Sequence, residues 1–222
     1  MRMDSSTRYH FRKFQHKKQA KKYLFPFFLD FATNFVIVSL LLAHLMGGKM
    51  KKLLALILTL LISTKGFTMD KENTLYLDLD YGRVVIEMLP QVAPKHVARI
   101  KELVRQGFYD GVKFHRVIEG FMAQTGDPTG TGMGGSGKKL AAEFNNEHHG
   151  RGTVSMARAM DPNSADSQFF ICFQDAGFLD GQYTVWGKVT SGMEYVDMIK
   201  RGEPPVNPDI IVKMQVAADA DK

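Results

Sequence analysis

From Thr74 onward the chain is cut into short β-rich runs separated by glycine-rich loops, and this punctuation constrains the fold more than any other feature. The first run, LYLDLD (Leu75 to Asp80), alternates strictly. Leu75, Leu77 and Leu79 share one face, and Tyr76, Asp78 and Asp80 the other, as in a strand with one buried side. Tyr81-Gly82 makes a turn, and Val84 to Leu89 returns as a second strand. Further runs follow at Lys113 to Ile118, Thr153 to Ala157, Phe169 to Phe173, Thr184 to Val189 and Ile210 to Val216. Two helices interrupt them. Pro94 opens the first, in which Val97, Ile100, Leu103 and Val104 share a face, and Gly107 ends it. The second fits Met193 to Lys200 and is closed by Gly202. Many short strands, two helices and no regular βαβ alternation predict an antiparallel sheet or barrel with helical caps.

The whole chain of 222 residues carries a formal charge of +6, but the excess is local. Residues 1–22 hold eight Lys and Arg against one acid, whereas residues 70–222 hold 17 against 21. The β-rich part therefore lacks the basic footprint of a nucleic-acid binder. Hydrophobic residues make up 45%, enough to fill a core. A single cysteine, Cys172, excludes an intramolecular disulfide.

Two apolar runs precede the globular part. Phe31 to Met46 follows a basic leader but is weakened as a membrane span by Asp30, Asn34 and His44. Met50-Lys51-Lys52 followed by LLALILTLLIS (Leu53 to Ser63) has the n-region and h-region of a secretory signal. No A-x-A cleavage site follows, and no cysteine for a lipid anchor. The codons of Gly47-Gly48 suit a ribosome-binding site, so the natural protein is expected to start at Met50, with residues 1–49 translated only on paper. The expected organisation is this leader (1–49), a signal peptide or anchor (50–68) and one domain (73–217). The expected location is the periplasm, or the inner membrane if residues 31–63 stay attached.

The segment FHRVIEGFMAQ (Phe114 to Gln124) sets Arg116 among Phe114, Phe121 and Met122, with Gln124 close behind. A guanidinium beside an apolar surface suits an apolar ligand that carries one electron-rich atom, such as a proline ring and its amide nitrogen. Other motifs read as structure. GMGGSGK (Gly132 to Lys138) has the spacing of a phosphate-binding loop, but Lys139 replaces the Mg²⁺-binding Ser/Thr and no strand precedes it; a flexible surface loop is expected. Glu147-His148-His149 has no spaced third ligand, so both histidines are expected in solvent and no metal is expected. Cys172, within FFICF, is expected as a packed core thiol. Ser155 and Ser164 lack a nucleophile elbow.

Four blocks in order, FHRVIEGFMAQTGD, GTVSMARA, SADSQFFICF and FLDGQYTVWGKV, resemble the signature segments of the cyclophilins, peptidyl-prolyl cis-trans isomerases, in their bacterial branch. The resemblance covers residues 73–217. It implies a mainly β fold: a closed eight-stranded antiparallel β-barrel capped by two α-helices. It also implies catalysis without a cofactor, on proline-containing peptides and unfolded or exported proteins. Arg116 matches the catalytic arginine. Phe121, Met122 and Gln124 match residues that line the proline pocket and bind the substrate backbone. Ala157 and Arg158 match a backbone-binding wall, commonly Ala-Asn; Gln168 and Phe170 match a QxF pair with Phe170 at the pocket floor; Leu179 closes the pocket. Phe178 and Tyr183 stand where many members carry Trp and His, so cyclosporin binding is expected to be weak. The rival expectation is a non-catalytic proline-peptide binder or chaperone, which would not need Arg116. A membrane role is expected only through the N-terminal apolar segments.

Overall fold

The computed structural model describes residues 70–220; the leader and the signal-like segment lie outside the described residues. Strand β1 (Thr74–Leu79) and β2 (Gly82–Met88) form the first hairpin, in register Asp78 opposite Arg83. Helix α1 (Pro94–Arg105) follows. Its apolar stripe is buried, and its first amides donate to the Glu143 carboxylate, Lys95 at 3.1 Å and His96 at 3.0 Å. An anion from a distant loop thus satisfies donors that a helix start leaves free. Then come β3 (Arg116–Ile118), β4 (Met122–Thr125), β5 (Thr153–Met156), β6 (Phe169–Cys172) and β7 (Val185–Ser191). Helix α2 (Met193–Asp197) is shorter than the expected Met193 to Lys200, and β8 (Lys213–Val216) ends the sheet. Strand β4 has no counterpart among the runs predicted from sequence, because MAQT has no apolar alternation to mark it.

All pairings are antiparallel, in the order β3-β4-β6-β5-β7-β2-β1-β8. The sheet curls as a half-barrel, and the expected full closure needs correction: among the described residues β3 and β8 share no ladder. Isolated bridges stand there instead, from Lys113, just before β3, to Ile210, and from Val117, within β3, to Gly202. The reason lies between Gly202 and Lys213, where Pro204, Pro205 and Pro208 lack the N–H groups that a ladder requires. Ile210 to Lys213 accordingly joins only in part, and β8 begins late.

The inner face packs Leu75, Leu77, Ile86, Val154, Phe169, Ile171 and Trp186 against α1. Tyr109, Phe169 and Trp186 meet edge to face, at 5.6 Å and 5.5 Å between centroids. Phe114 belongs here and is fully buried, which corrects its expected place beside Arg116. The residues just before Arg116 are not in a strand, so the two-residue alternation does not carry Phe114 to the outer face.

Candidate functional site

Hydrogen-bond register builds the site on the outer face of β3, β4 and β6. Arg116 stands opposite Gln124, and Gln124 opposite Phe170; Ile118 stands opposite Met122, and Met122 opposite Cys172. Paired residues point to the same side of a sheet, so these side chains form two adjacent rows on one face. Met122, Phe170, Cys172, Ala176 and Leu179 pack there as a second apolar cluster, separate from the inner core. The expected split between Phe169 and Phe173 in the core and Phe170 on the other face is what the strand displays.

Above this cluster opens a cavity of about 290 Å³. Ten of the eleven residues predicted from sequence line it. Arg116 and Gln124 form one wall, Phe121, Met122 and Phe170 the apolar bed, Ala157 and Arg158 another wall, and Phe178, Leu179 and Tyr183 the far side. Met122 and Phe170 are almost fully buried, so they serve both packing and lining, whereas the sequence assigns Met122 to ligand alone. Phe178 is 67% exposed and tilts against Phe121 at 5.5 Å. Tyr183 meets Phe170 edge-on at 5.9 Å. The Arg158 guanidinium lies over the Tyr183 ring at 4.5 Å and donates to the carbonyls of Gln182 and Ala159. That arginine is tied down at the rim.

Gln168 is the exception and stands behind the wall. Its Oε1 accepts from Gln124 Nε2 at 2.9 Å, while its own Nε2 donates to the carbonyls of Gly132 and Gly134. It lines a neighbouring hollow of about 430 Å³, which shares Gln124, Ala157 and Arg158 with the first.

The glycine-rich loop also has an anion in its grip, one that belongs to the chain. Buried Asp127 accepts from the backbone N–H groups of Thr129, Thr131, Gly132 and Gly134 at 2.7–3.1 Å. Burial pushes the Asp127 carboxyl up, but the Thr129 hydroxyl and these amides outweigh it and hold it well below the usual carboxylate range. A Cβ on Gly134 would come within 2.2 Å of Asp127 Oδ1, which explains glycine there. Ser136 and Gly137 donate to Asp166 in the same way. The loop expected to be flexible is therefore pinned at two carboxylates.

His149 corrects a second expectation. It is fully buried rather than solvated, stacked behind Phe170 at 6.2 Å and 19°. Its Nδ1 lies 2.8 Å from Asp180 Oδ1 and its Nε2 lies 3.0 Å from Ser155 Oγ. A carboxylate can only accept, so Nδ1 carries the proton. Ser155 is completely buried, which leaves this Ser-His-Asp chain no access to a substrate. Asp180 also accepts from the His149 backbone N–H at 2.8 Å, tying the Phe178–Leu179 turn to the floor of the cavity. His148 is exposed as expected, yet both ring nitrogens face acids, Asp180 at 2.6 Å and Asp175 at 2.7 Å. Those two carboxylates raise its pKa, and His148 in turn helps hold Asp180 below the usual range. Sequence reasoning missed His149 and Asp180 because a histidine pair in a polar stretch carries no sign of burial. Cys172 is buried, and burial pushes its thiol up to about 12, as a packed core thiol requires.

Comparison with known proteins shows the family. Residues 74–216 match the model of the family described as cyclophilin type peptidyl-prolyl cis-trans isomerase/CLD. A probable peptidyl-prolyl cis-trans isomerase of Brucella suis biovar 1 is 54% identical over 167 residues, 68% of this chain and 85% of that protein. A peptidyl-prolyl cis-trans isomerase of Helicobacter pylori is 45% identical over 126 residues, 55% of this chain and 77% of that protein. Among solved structures, a cyclophilin from Hirschia baltica aligns with a TM-score of 0.63 and 33% identity, covering 68% of this chain and 76% of that one. A cyclophilin-type isomerase from Cryptosporidium parvum, solved in the presence of the dipeptide Ala-Pro, aligns with a TM-score of 0.60 and 30% identity over 64% of this chain and 98% of that one.

Proposed function

This chain belongs to the cyclophilin-type peptidyl-prolyl cis-trans isomerases, and from that membership we propose that it turns X-Pro bonds by non-covalent stabilisation of the twisted amide, with Arg116 as the catalytic residue. Amide resonance sets a barrier of roughly 18–20 kcal/mol to this rotation. At the twisted transition state the proline nitrogen becomes pyramidal and regains its lone pair. A guanidinium N–H can donate to that lone pair only then, so the interaction favours the transition state over both ground states. Arginine suits the role because it is planar and permanently charged. Phe121, Met122, Phe170 and Leu179 hold the ring. Gln124 and the main chain at Ala157 and Arg158 hold the peptide on either side.

The observation that carries this reading is the register of β3 and β4: Arg116 and Gln124 sit opposite one another on the wall of a cavity with an aromatic and methionine bed. Substrates are proline-containing peptides, by analogy with the relative solved with Ala-Pro. The signal-like segment at 50–68 supports exported proteins in the periplasm as clients. Weak cyclosporin binding follows from Phe178 in the wall, since a phenyl ring offers no N–H; the single tryptophan, Trp186, is in the inner core.

Arg116→Ala is expected to cut the catalysed cis-to-trans rate of a proline peptide by about a hundredfold or more, with an unchanged melting temperature. A wild-type chain that binds the peptide without accelerating isomerisation would support the chaperone reading instead.

A further inference from the structure

Glu203 lies 87 positions beyond Arg116 in the chain, and the fold joins them. Val117 N–H donates to the Gly202 carbonyl at 2.8 Å, and Gly202 N–H donates back to the Val117 carbonyl at 2.8 Å. The residues flanking such an antiparallel bridge stand opposite one another, which sets Glu203 against Arg116. Their side chains meet there, with Arg116 Nε donating to Glu203 Oε2 at 2.7 Å. A second pair of reversed sign, Arg201 Nε to Glu119 Oε2 at 2.6 Å, holds the other side of the same bridge. Gly202 has φ +146°, and a Cβ on it would come within 2.5 Å of Pro205 Cα. Only glycine fits that backbone, so the path that delivers Glu203 is set by the main chain.

A flexible, half-exposed arginine needs such a partner if it is to be aimed. Arg116 lines the proline cavity and also a second hollow behind it, and Glu203 lines only the second. The carboxylate therefore takes Nε from the side away from the proline site. The pair uses Nε and so leaves both terminal nitrogens of the fork available to a ligand.

We infer that Glu203 is a positioning residue that orients the Arg116 guanidinium toward the proline nitrogen. The inference rests on the catalytic reading of Arg116 given above. An exposed ion pair of this kind contributes little to stability, so its effect is to be sought in rate. Misplacing a catalytic group by about 1 Å can cost on the order of a hundredfold.

The test measures kcat and KM for a proline peptide with the full chain carrying Glu203→Ala, Glu203→Gln, Arg116→Ala, or both Ala changes. Glu203→Ala should lower kcat about tenfold, with KM little changed, and the melting temperature should move by less than about 3 °C. Glu203→Gln, which keeps an acceptor oxygen, should recover most of the rate. In the Arg116→Ala background, Glu203→Ala should cost nothing further. If Arg116→Ala is inactive while Glu203→Ala is as fast as wild type or faster, Glu203 is an ordinary surface partner and the inference falls alone. A rate loss in Glu203→Ala that persists in the Arg116→Ala background, or that tracks lost stability, overturns it as well. If Arg116→Ala keeps its rate, the catalytic reading itself is wrong.

Discussion

The inner and outer faces of β4, β5 and β6 are made from alternate residues of the same strands, yet they are held together differently. Inward, Ala123, Val154, Phe169 and Ile171 enter one large apolar core closed by Trp186. Outward, Met122, Phe170 and Cys172 form a small cluster, and the structure over it depends on a few polar ties. Asp180 ties the Phe178–Leu179 turn to His149, Gln168 ties Gln124 to the glycine-rich loop, and Glu203 ties Arg116. The difference teaches that the inner face sets stability through buried area, which is non-directional. The outer face sets geometry through individual hydrogen bonds, which are directional.

The largest effect should come from the inner face. Ile171→Ala removes a fully buried side chain and should lower unfolding free energy by about 4 kcal/mol in a denaturant titration. Because Trp186 lies in that core, its fluorescence reports this transition. The isomerase rate per folded molecule should hardly change, and a matching loss of rate would break the distinction between the faces.

Asp127→Ala should blur the distinction, because this carboxylate serves both. It leaves four backbone amides without their buried acceptor, and the expected loss is about 3 kcal/mol. It also frees the Gly132 and Gly134 carbonyls that hold Gln168, so KM for a proline peptide should rise. Lost stability with an unchanged KM would confine Asp127 to structure.

The smallest effect concerns the tie at Asp180, and it depends on pH. His148 has a raised folded pKa, so its contribution is complete below the unfolded value of about 6.5 and is lost as pH rises through the folded one. Asp180 and Asp175 have depressed folded pKa values, so their contribution is present above about pH 3.9 and is lost as pH falls through the folded ones. Stability from this group is therefore greatest between about pH 4 and 6.5. Melting temperature should decline modestly as pH rises past that window, and Asp180→Asn should flatten the decline. A variant with the wild-type slope would exclude this tie as its source.

Much of the site is legible in the sequence. Strand alternation separates Phe170 from Phe169 and Phe173, and four signature blocks nominate eleven residues, ten of which line one cavity. The failures share a cause. His149, expected in solvent, is buried because Asp180 and Ser155 satisfy its ring from 31 and six positions away. Gly132 and Gly134, expected in a flexible loop, wrap Asp127, and Phe114 turns inward because β3 starts three residues later than the run from Lys113 to Ile118 suggests.

Sequence by itself determined what depends on the local geometry of the chain: which side chains share a strand face, where α1 begins, and which chemistry the signature blocks of one family would bring. Alternation and helical period repeat over a few residues, so a short window contains them. Only the tertiary structure decided that the sheet ends without a β3–β8 ladder, that Gln168 stands behind the wall, and that Glu203 holds Arg116. Each of these joins residues tens of positions apart, and such contacts exist only once register and loop path have brought the chain back to itself.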